Sequence, residues 1–425
     1  MKNNRILENN ITLITDQNLG LNAVKISLFF KTGTYYETKQ NYGITHLVEH
    51  LFFRKLEYLT QKELYVQTES IGAFLKGKTY RNFVCFEITV VPEYYKKAIQ
   101  LISMILQPFK WNEQELSAEK KVVLKQIYNK RETFSEYQER LYFNNIKYSA
   151  PIMGNEQVIQ SVDVDMVNNW KEKFFTCDNA CVVITGAFQL TDYKYTVSLL
   201  EGISNKGTFI NNKIIYPKHL FKRSCADDRI IPTNESLSDV WITFDVNLNE
   251  IFFTQAQMIS SMLCRGDGSR LIYLLKDQYA LTDDIESYVS LYQGFACITF
   301  QFTIENRDLE EGLQLFFNEI RNFKREIKQE DYLTTIPFFT KNLLKEKDDQ
   351  ENLNFDYGWF DFILGQVYDI PQLITYNSSQ TIVDLECAVK KVLAANNMAI
   401  NICNNSRIKT KSQIAQAVRQ FRTEI

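Results

Sequence analysis

One order of secondary-structure signals is written twice along these 425 residues, and this duplication restricts the fold more than any single motif does. The first copy begins with a strand pattern at NAVKISLFF (22–30). The turn-like KTGTYYETKQNYG leads from it to a helix at HLVEHLFF, and a second helix, QKELYVQTESIG, follows. Alternating strands then run through AFLKGKTYRNFVCFEITVV. After Pro92 the chain turns helical, with Tyr95, Ile99, Ile102 and Leu106 on one apolar face, until Pro108 ends the run. A helix over about 113–130, a strand at ACVVITGAF (180–188) and a closing helix near 191–202 complete the copy.

The second copy keeps the order with little identity in letters. It has a strand at DVWITFDV, a helix from near Thr254, a glycine break at RGDGS and a helix SRLIYLLKDQ. Strands through YVSLYQGFACITFQFTI and a helix DLEEGLQLFFNEIRNF follow. Helices that cover one face of hairpin-connected strands predict an α+β fold: two structurally similar domains, each an antiparallel-rich sheet with helices packed on one side. Length agrees, because a chain of this size exceeds one ordinary core and fits two of about 200 residues. The expected boundaries are residues 1–204 for the first domain and 229–425 for the second. A polar, Gly- and Pro-marked linker without periodicity spans 205–228.

Composition removes several function classes. A net charge of −3 without a basic stripe argues against nucleic acid. The N-terminal MKNNRILENNITLITDQN lacks the apolar core of a signal peptide, and no later run reaches the roughly 18 apolar residues of a membrane span. A cytoplasmic location and no membrane partner are expected. The eight cysteines are scattered, several within apolar runs such as FVCFEI and FACITF, and read as buried free thiols. Cys177 and Cys181 have no second pair to make a zinc knuckle. The glycine-bearing RGDGSR (265–270) lacks phosphate-loop spacing and reads as a turn before a helix. KNLLKEKDDQEN reads as a solvated helix end, and FDYGWFDFILGQVY (355–368) as core or subunit interface.

Chemistry concentrates in GITHLVEHLFF (43–53), which holds two of the chain's three histidines. On a helix, His46 and His50 lie one turn apart on one face with Glu49 beside His46. Leu47, Val48, Leu51, Phe52 and Phe53 bury the trio among apolar side chains. Leaving three such groups unpartnered would cost on the order of several kcal/mol. The bland alternative is a pair of hydrogen-bonded core histidines. H-x-x-E-H on an apolar helix, in a chain this poor in histidine, favours one zinc ion instead: zinc accepts two neutral imidazoles and an oxygen, and a neighbouring carboxylate can take a proton from water. His219, within the linker, reads as a surface residue. A third ligand should interrupt another apolar face. In WNEQELSAEKKVVLKQIYNK the stripe Leu116, Glu119, Val123, Gln126 does so, while Lys121, Lys125 and Tyr128 point away.

HLVEH resembles the inverted zinc motif of the inverzincins. GTYYETKQNYGITHLVEHLFF is similar to the approach to that motif in the insulinase and pitrilysin peptidases. PIMGNEQVIQSV from Pro151, FFTCDNACVVITG from Phe174 and LCRGDGSRLIYLLKDQYAL extend the likeness over nearly the whole chain. The length resembles the half-size members that work as dimers of two-domain subunits, such as the mitochondrial processing peptidase and bacterial processing proteases. The resemblance implies His46 and His50 as zinc ligands, Glu49 as general base, Glu119 as a second functional glutamate, and Gln126 at the last ligand position. The family carries a glutamate there, so an amide should hold metal more weakly. Lys76 stands at the position of a substrate-aligning asparagine. Lys276 and Asp283 replace an arginine and a tyrosine that bind substrate and the oxyanion, and an ionised aspartate cannot donate to an oxyanion.

What the resemblance therefore implies is a zinc endopeptidase subunit that acts on peptides. It would be the zinc-bearing half of a heterodimer whose homologous partner supplies the arginine and tyrosine. Removal of leader peptides is a use suggested by analogy alone. A homodimeric peptidase is a further possibility, which Lys276 and Asp283 weaken. The alternative from another class is a non-catalytic, degenerate subunit that binds a partner or substrate.

Overall fold

NAVKISLFF folds into a strand whose seven residues, Val24–Phe30, are all buried, so both of its faces must be covered. The computed structural model describes residues 2–129, 134–143, 146–207, 217, 219–224, 228–233, 236–404, 415–416, 418–420 and 422. It divides by packing into two units. The first comprises Met1–Arg140, Asn145–Lys213 and Glu346–Asp369; the second comprises Leu141–Asn144, Ile214–Lys345 and Ile370–Ile425.

In the first unit the strands are β1 (Lys2–Ile6), β2 (Thr12–Gln17), β3 (Val24–Phe30), a short ribbon of β4 (Lys55–Leu56) and β5 (Leu59–Thr60), β6 (Lys76–Thr79), β7 (Val84–Val90) and β8 (Ala180–Gly186). Six of them form a sheet in the order β1-β2-β8-β3-β7-β6. All neighbours are antiparallel except β2 and β8. Its helices include α1 (Ile44–Arg54), α2 (Gln61–Glu69), α3 (Tyr95–Ser103) and α4 (Glu113–Asn129). Val24, Ile26, Leu28 and Phe30 of β3 share one apolar core with Leu47, Leu51 and Phe52 of α1 and Ile99 and Ile102 of α3. This is the helical face that the sequence predicts. β1 and β2 go beyond it: the polar KNNRI of β1 is mostly exposed and carries no alternation to read.

The opposite face of β3 is covered from far along the chain. The helix Gln350–Asp356 and the π-helix Tyr357–Leu364 lie on it. Asn354 Nδ2 donates to the Lys25 carbonyl at 3.1 Å, the Val183 carbonyl at 3.3 Å and Thr185 Oγ1 at 3.1 Å. Gly358 meets the Phe29 ring so closely that a Cβ there would fall 2.2 Å from it. FDYGWFDFILGQVY is thus packing of the first unit, although it lies within the stretch 229–425 that the sequence reading gave to the second domain.

The second unit repeats the plan with β9 (Arg229–Pro232), β10 (Leu237–Asn247), β11 (Ile285–Tyr292), β12 (Phe295–Glu305) and β13 (Met398–Asn404). The order is β11-β12-β10-β13-β9, antiparallel except for β13 and β9. β10 takes the place of β3, and the single parallel pair recurs at the same position. The helices Phe253–Cys264 and Leu309–Arg325 supply Ile259, Leu263, Phe316 and Ile320 to its core. The architecture is α+β, two similar domains.

Of the expected linker, residues 208–216, 218 and 225–227, Cys225 among them, lie outside the described residues. Arg223 is anchored, with Nε 3.0 Å from Asp245 Oδ2 in a pair with almost no solvent exposure. His219 corrects the surface reading: it is half-buried, with Nε2 3.2 Å from the Tyr142 carbonyl oxygen. Cys85, Cys177, Cys181, Cys264, Cys297 and Cys403 are buried thiols in no disulfide among the described residues, whereas Cys387 is exposed. Among the described residues no helix is long and apolar enough to cross a membrane.

Candidate metal centre

Helix α1 is fixed at its start by backbone contacts. Gly43 caps it in the left-handed region, with φ 91°. A Cβ on Gly43 would lie 2.6 Å from the Met153 carbonyl oxygen, so the PIMG turn and the helix start close on each other. The Glu37 carboxylate accepts the Gly43 N–H at 2.8 Å and the Thr45 N–H at 2.9 Å, two of the donors that a helix start leaves free. Burial pushes the Glu37 carboxyl up to about 7, against the pull of these hydrogen bonds. At the other end Phe52 packs edge-on to Trp111 and Phe86, which leaves the face of His46, Glu49 and His50 turned away from the sheet core.

These three residues bring donor atoms within 4.8 Å of one another. The imidazole centroids lie 4.5 Å apart. Glu119 and Gln126 come from α4, where Leu116, Glu119 and Val123 are buried and Lys121, Lys125 and Tyr128 exposed, as the stripe predicts. Glu119 Oε1 lies 3.0 Å from His50 Nδ1, and Arg54 Nε donates to Glu119 Oε2 at 2.8 Å. Burial acts to raise the Glu119 carboxyl, yet the hydrogen bonds from His50 and Arg54 and their charges hold it below the ordinary carboxylate range. An ionised carboxylate only accepts, so His50 Nδ1 carries the hydrogen, and in the neutral imidazole Nε2 then offers its lone pair for a ligand bond.

Gln126 Oε1 faces His46 Nε2 at 3.2 Å. That separation suits a hydrogen bond, and it equally suits two ligands of one tetrahedral zinc, which sit about 3.3 Å apart at ordinary bond lengths. His46 Nδ1 is buried without a hydrogen bond among the described residues; Glu49 Oε2 lies 3.4 Å from it, off the line of one. Two imidazoles and an amide oxygen at these separations make a donor set that fits a zinc ion. The general-base candidate is held separately. Thr79 Oγ1 donates to Glu49 Oε2 at 3.1 Å, and the glycine at 77 leaves room where a Cβ would stand 2.6 Å from Glu49 Oε1.

Lys76, beside Gly77 on β6, is exposed and does not join the cluster. Lys276 is half-buried in the π-helix Tyr273–Gln278, and Asp283 is exposed in the turn before β11. Arg54, Thr79 and Glu37 are participants that sequence reasoning passed over. Arg54 follows His50 by one helical turn on the same face, which was a signal available in the letters.

Residues 13–155 match the family model described as insulinase, peptidase family M16, and residues 161–336 match the M16 inactive domain. An uncharacterized zinc protease of Rickettsia bellii (strain RML369-C) is 24% identical over 335 residues, 76% of this chain and 79% of the relative. The mouse mitochondrial-processing peptidase subunit beta is 25% identical over 161 residues, 37% of this chain and 33% of its own. Among solved structures, a protease from Helicobacter pylori superposes with a TM-score of 0.82 at 15% identity, covering 95% of this chain and 99% of that one.

Proposed function

Since the chain belongs to the insulinase family of peptidases, M16, we propose that it is a zinc-dependent endopeptidase subunit. The observation that carries this reading is the convergence of His46, Glu49 and His50 with Glu119 and Gln126. His46, His50 and Gln126 would hold one zinc ion, which when bound supplies a Lewis acid for the scissile carbonyl and for water. Glu49 takes the proton of the attacking water and delivers it to the departing amine. Thr79 and the glycine at 77 aim that carboxylate, and the Glu119–His50 hydrogen bond sets the imidazole. Strand β6 ends its sheet, so a peptide can add to it as a further strand.

A homologous partner subunit supplies the arginine and tyrosine whose family positions hold Lys276 and Asp283, which makes a heterodimeric processing protease acting on peptides in the cytoplasm. Leader peptides are the substrate favoured by analogy. Zinc content and peptide cleavage of the wild type and Glu49→Gln, each with its partner, test the proposal. The variant should keep its zinc and lose cleavage by about 100-fold or more, and equal cleavage by both overturns the reading. Gln126 favours one second reading, a subunit that binds without catalysing. A metal-free chain beside a partner carrying its own complete H-x-x-E-H and glutamate would decide for it.

A further inference from the structure

The edge strand next to Glu49 is charged in a way that the catalytic reading does not use. In the hairpin that joins β6 to β7, the Tyr80 N–H donates to the Phe83 carbonyl at 2.8 Å. The register then pairs Lys78 with Cys85 and Lys76 with Glu87. Bonded and non-bonded pairs alternate along an antiparallel ladder, so Gly77 and Thr79 turn their backbone N–H and C=O groups outward, toward an incoming strand. Their side-chain positions lie on the Glu49 face. Lys76 and Lys78 therefore project from the other face, and both are exposed.

Neither lysine has a carboxylate at ion-pair distance among the described residues. Glu87, opposite Lys76, is held instead by Lys25 at 2.9 Å. Lys78 Nζ lies 5.0 Å from the centre of the Tyr80 ring. The strand thus presents two ammonium groups two residues apart, flanking the outward backbone groups beside the candidate base.

We infer that β6 selects an extended peptide carrying two carboxylates, two residues apart, that pair with Lys76 and Lys78 while the residue between them turns toward Glu49. This names a substrate class for the site and rests on the peptidase reading. A strand added outside β6 brings alternate side chains directly across from the two lysines, where opposite charges attract and like charges repel. Exposed pairs are individually weak and screened by salt, so the preference is several-fold and falls at high ionic strength.

The test is fluorescence anisotropy with labelled extended peptides that differ only in a Glu-x-Glu, Gln-x-Gln or Lys-x-Lys core, titrated with the Glu49→Gln chain so that binding is read without turnover. The Glu peptide should bind about 3- to 10-fold tighter than the Gln peptide, and the Lys peptide weakest. The surface double variant K76E/K78E should invert the order. Equal affinity for the three peptides, no measurable binding of any, or a Glu preference that survives K76E/K78E overturns the inference. Failure of the catalytic reading looks different: the Glu peptide binds with the expected preference, yet the wild type with its partner leaves it as intact as Glu49→Gln does.

Discussion

Gln126 brings a neutral oxygen to a place where the chemistry rewards an anion. With two neutral imidazoles and an amide, a divalent ion at this centre would keep its full charge, while the nearby ionised Glu119 is already engaged by His50 and Arg54. Gln126→Glu places a carboxylate oxygen where Oε1 now stands 3.2 Å from His46 Nε2. It should tighten zinc binding by at least about ten-fold, about 1.4 kcal/mol, measured by competition with a chromophoric chelator. Glu119→Gln acts in the opposite sense. It removes the charge that pairs with Arg54 and leaves the His50 tautomer unset, and it should weaken zinc in the same competition by roughly 10- to 100-fold, the usual cost of losing a partner that orients a ligand. An unchanged affinity in both variants would mean that α4 takes no part in the metal site.

At the scale of elements, α1 was legible because its signal is local: apolar residues at helical spacing with the polar trio on one face are written within eleven letters, GITHLVEHLFF. The Glu119 stripe was legible for the same reason. Local spacing cannot show that Glu37, seven residues before the helix, caps it, nor that β1 pairs, since its polar letters hold no period. The edge position of β6 follows from topology, which strand patterns leave open. The Glu37 cap carries a pH signature. Its carboxyl is pushed up to about 7 in the folded chain from an ordinary 4.5, so the native state binds the extra proton between those values. The stability from this group is fully present below about pH 4.5 and is lost as pH rises through 7, to the extent of about 3 kcal/mol. Glu37→Gln should remove that part of the pH dependence. The unfolding free energy from urea titrations, taken at about pH 4.5 minus that at pH 8, should be about 3 kcal/mol smaller in the variant than in the wild type.

Across the whole molecule, the two units are not consecutive in sequence. Glu346–Asp369 belongs to the first while Lys345 and Ile370, on either side of it, belong to the second, and Leu141–Asn144 belongs to the second from within the first half. The duplication was visible as element order, but this exchange was not, because FDYGWFDFILGQVY states only that it must be buried and not against which sheet. A physical consequence follows. When the first unit unfolds it releases Asn354 from the Lys25 carbonyl and Gly358 from Phe29, and that freed segment is tethered at both ends to the second unit. Gly358→Ala places a Cβ 2.2 Å from a Phe29 ring that is itself fully buried. Overpacking of this kind costs about 1–3 kcal/mol; an approach of 2.2 Å to a buried ring belongs at the upper end, beyond the roughly 1 kcal/mol that alanine gains in helix propensity. The variant should therefore lower the urea midpoint of the first unit. If the exchanged segments couple the units, it should lower by the same amount the midpoint reported by Trp241 on β10 of the second unit, read in a chain whose other tryptophans are replaced by phenylalanine. A Trp241 transition that stays at the wild-type midpoint while that of Trp359, in the π-helix of the first unit and read in a companion chain that keeps it as the sole tryptophan, shifts would show instead that each unit unfolds alone and that the exchange carries no cooperativity.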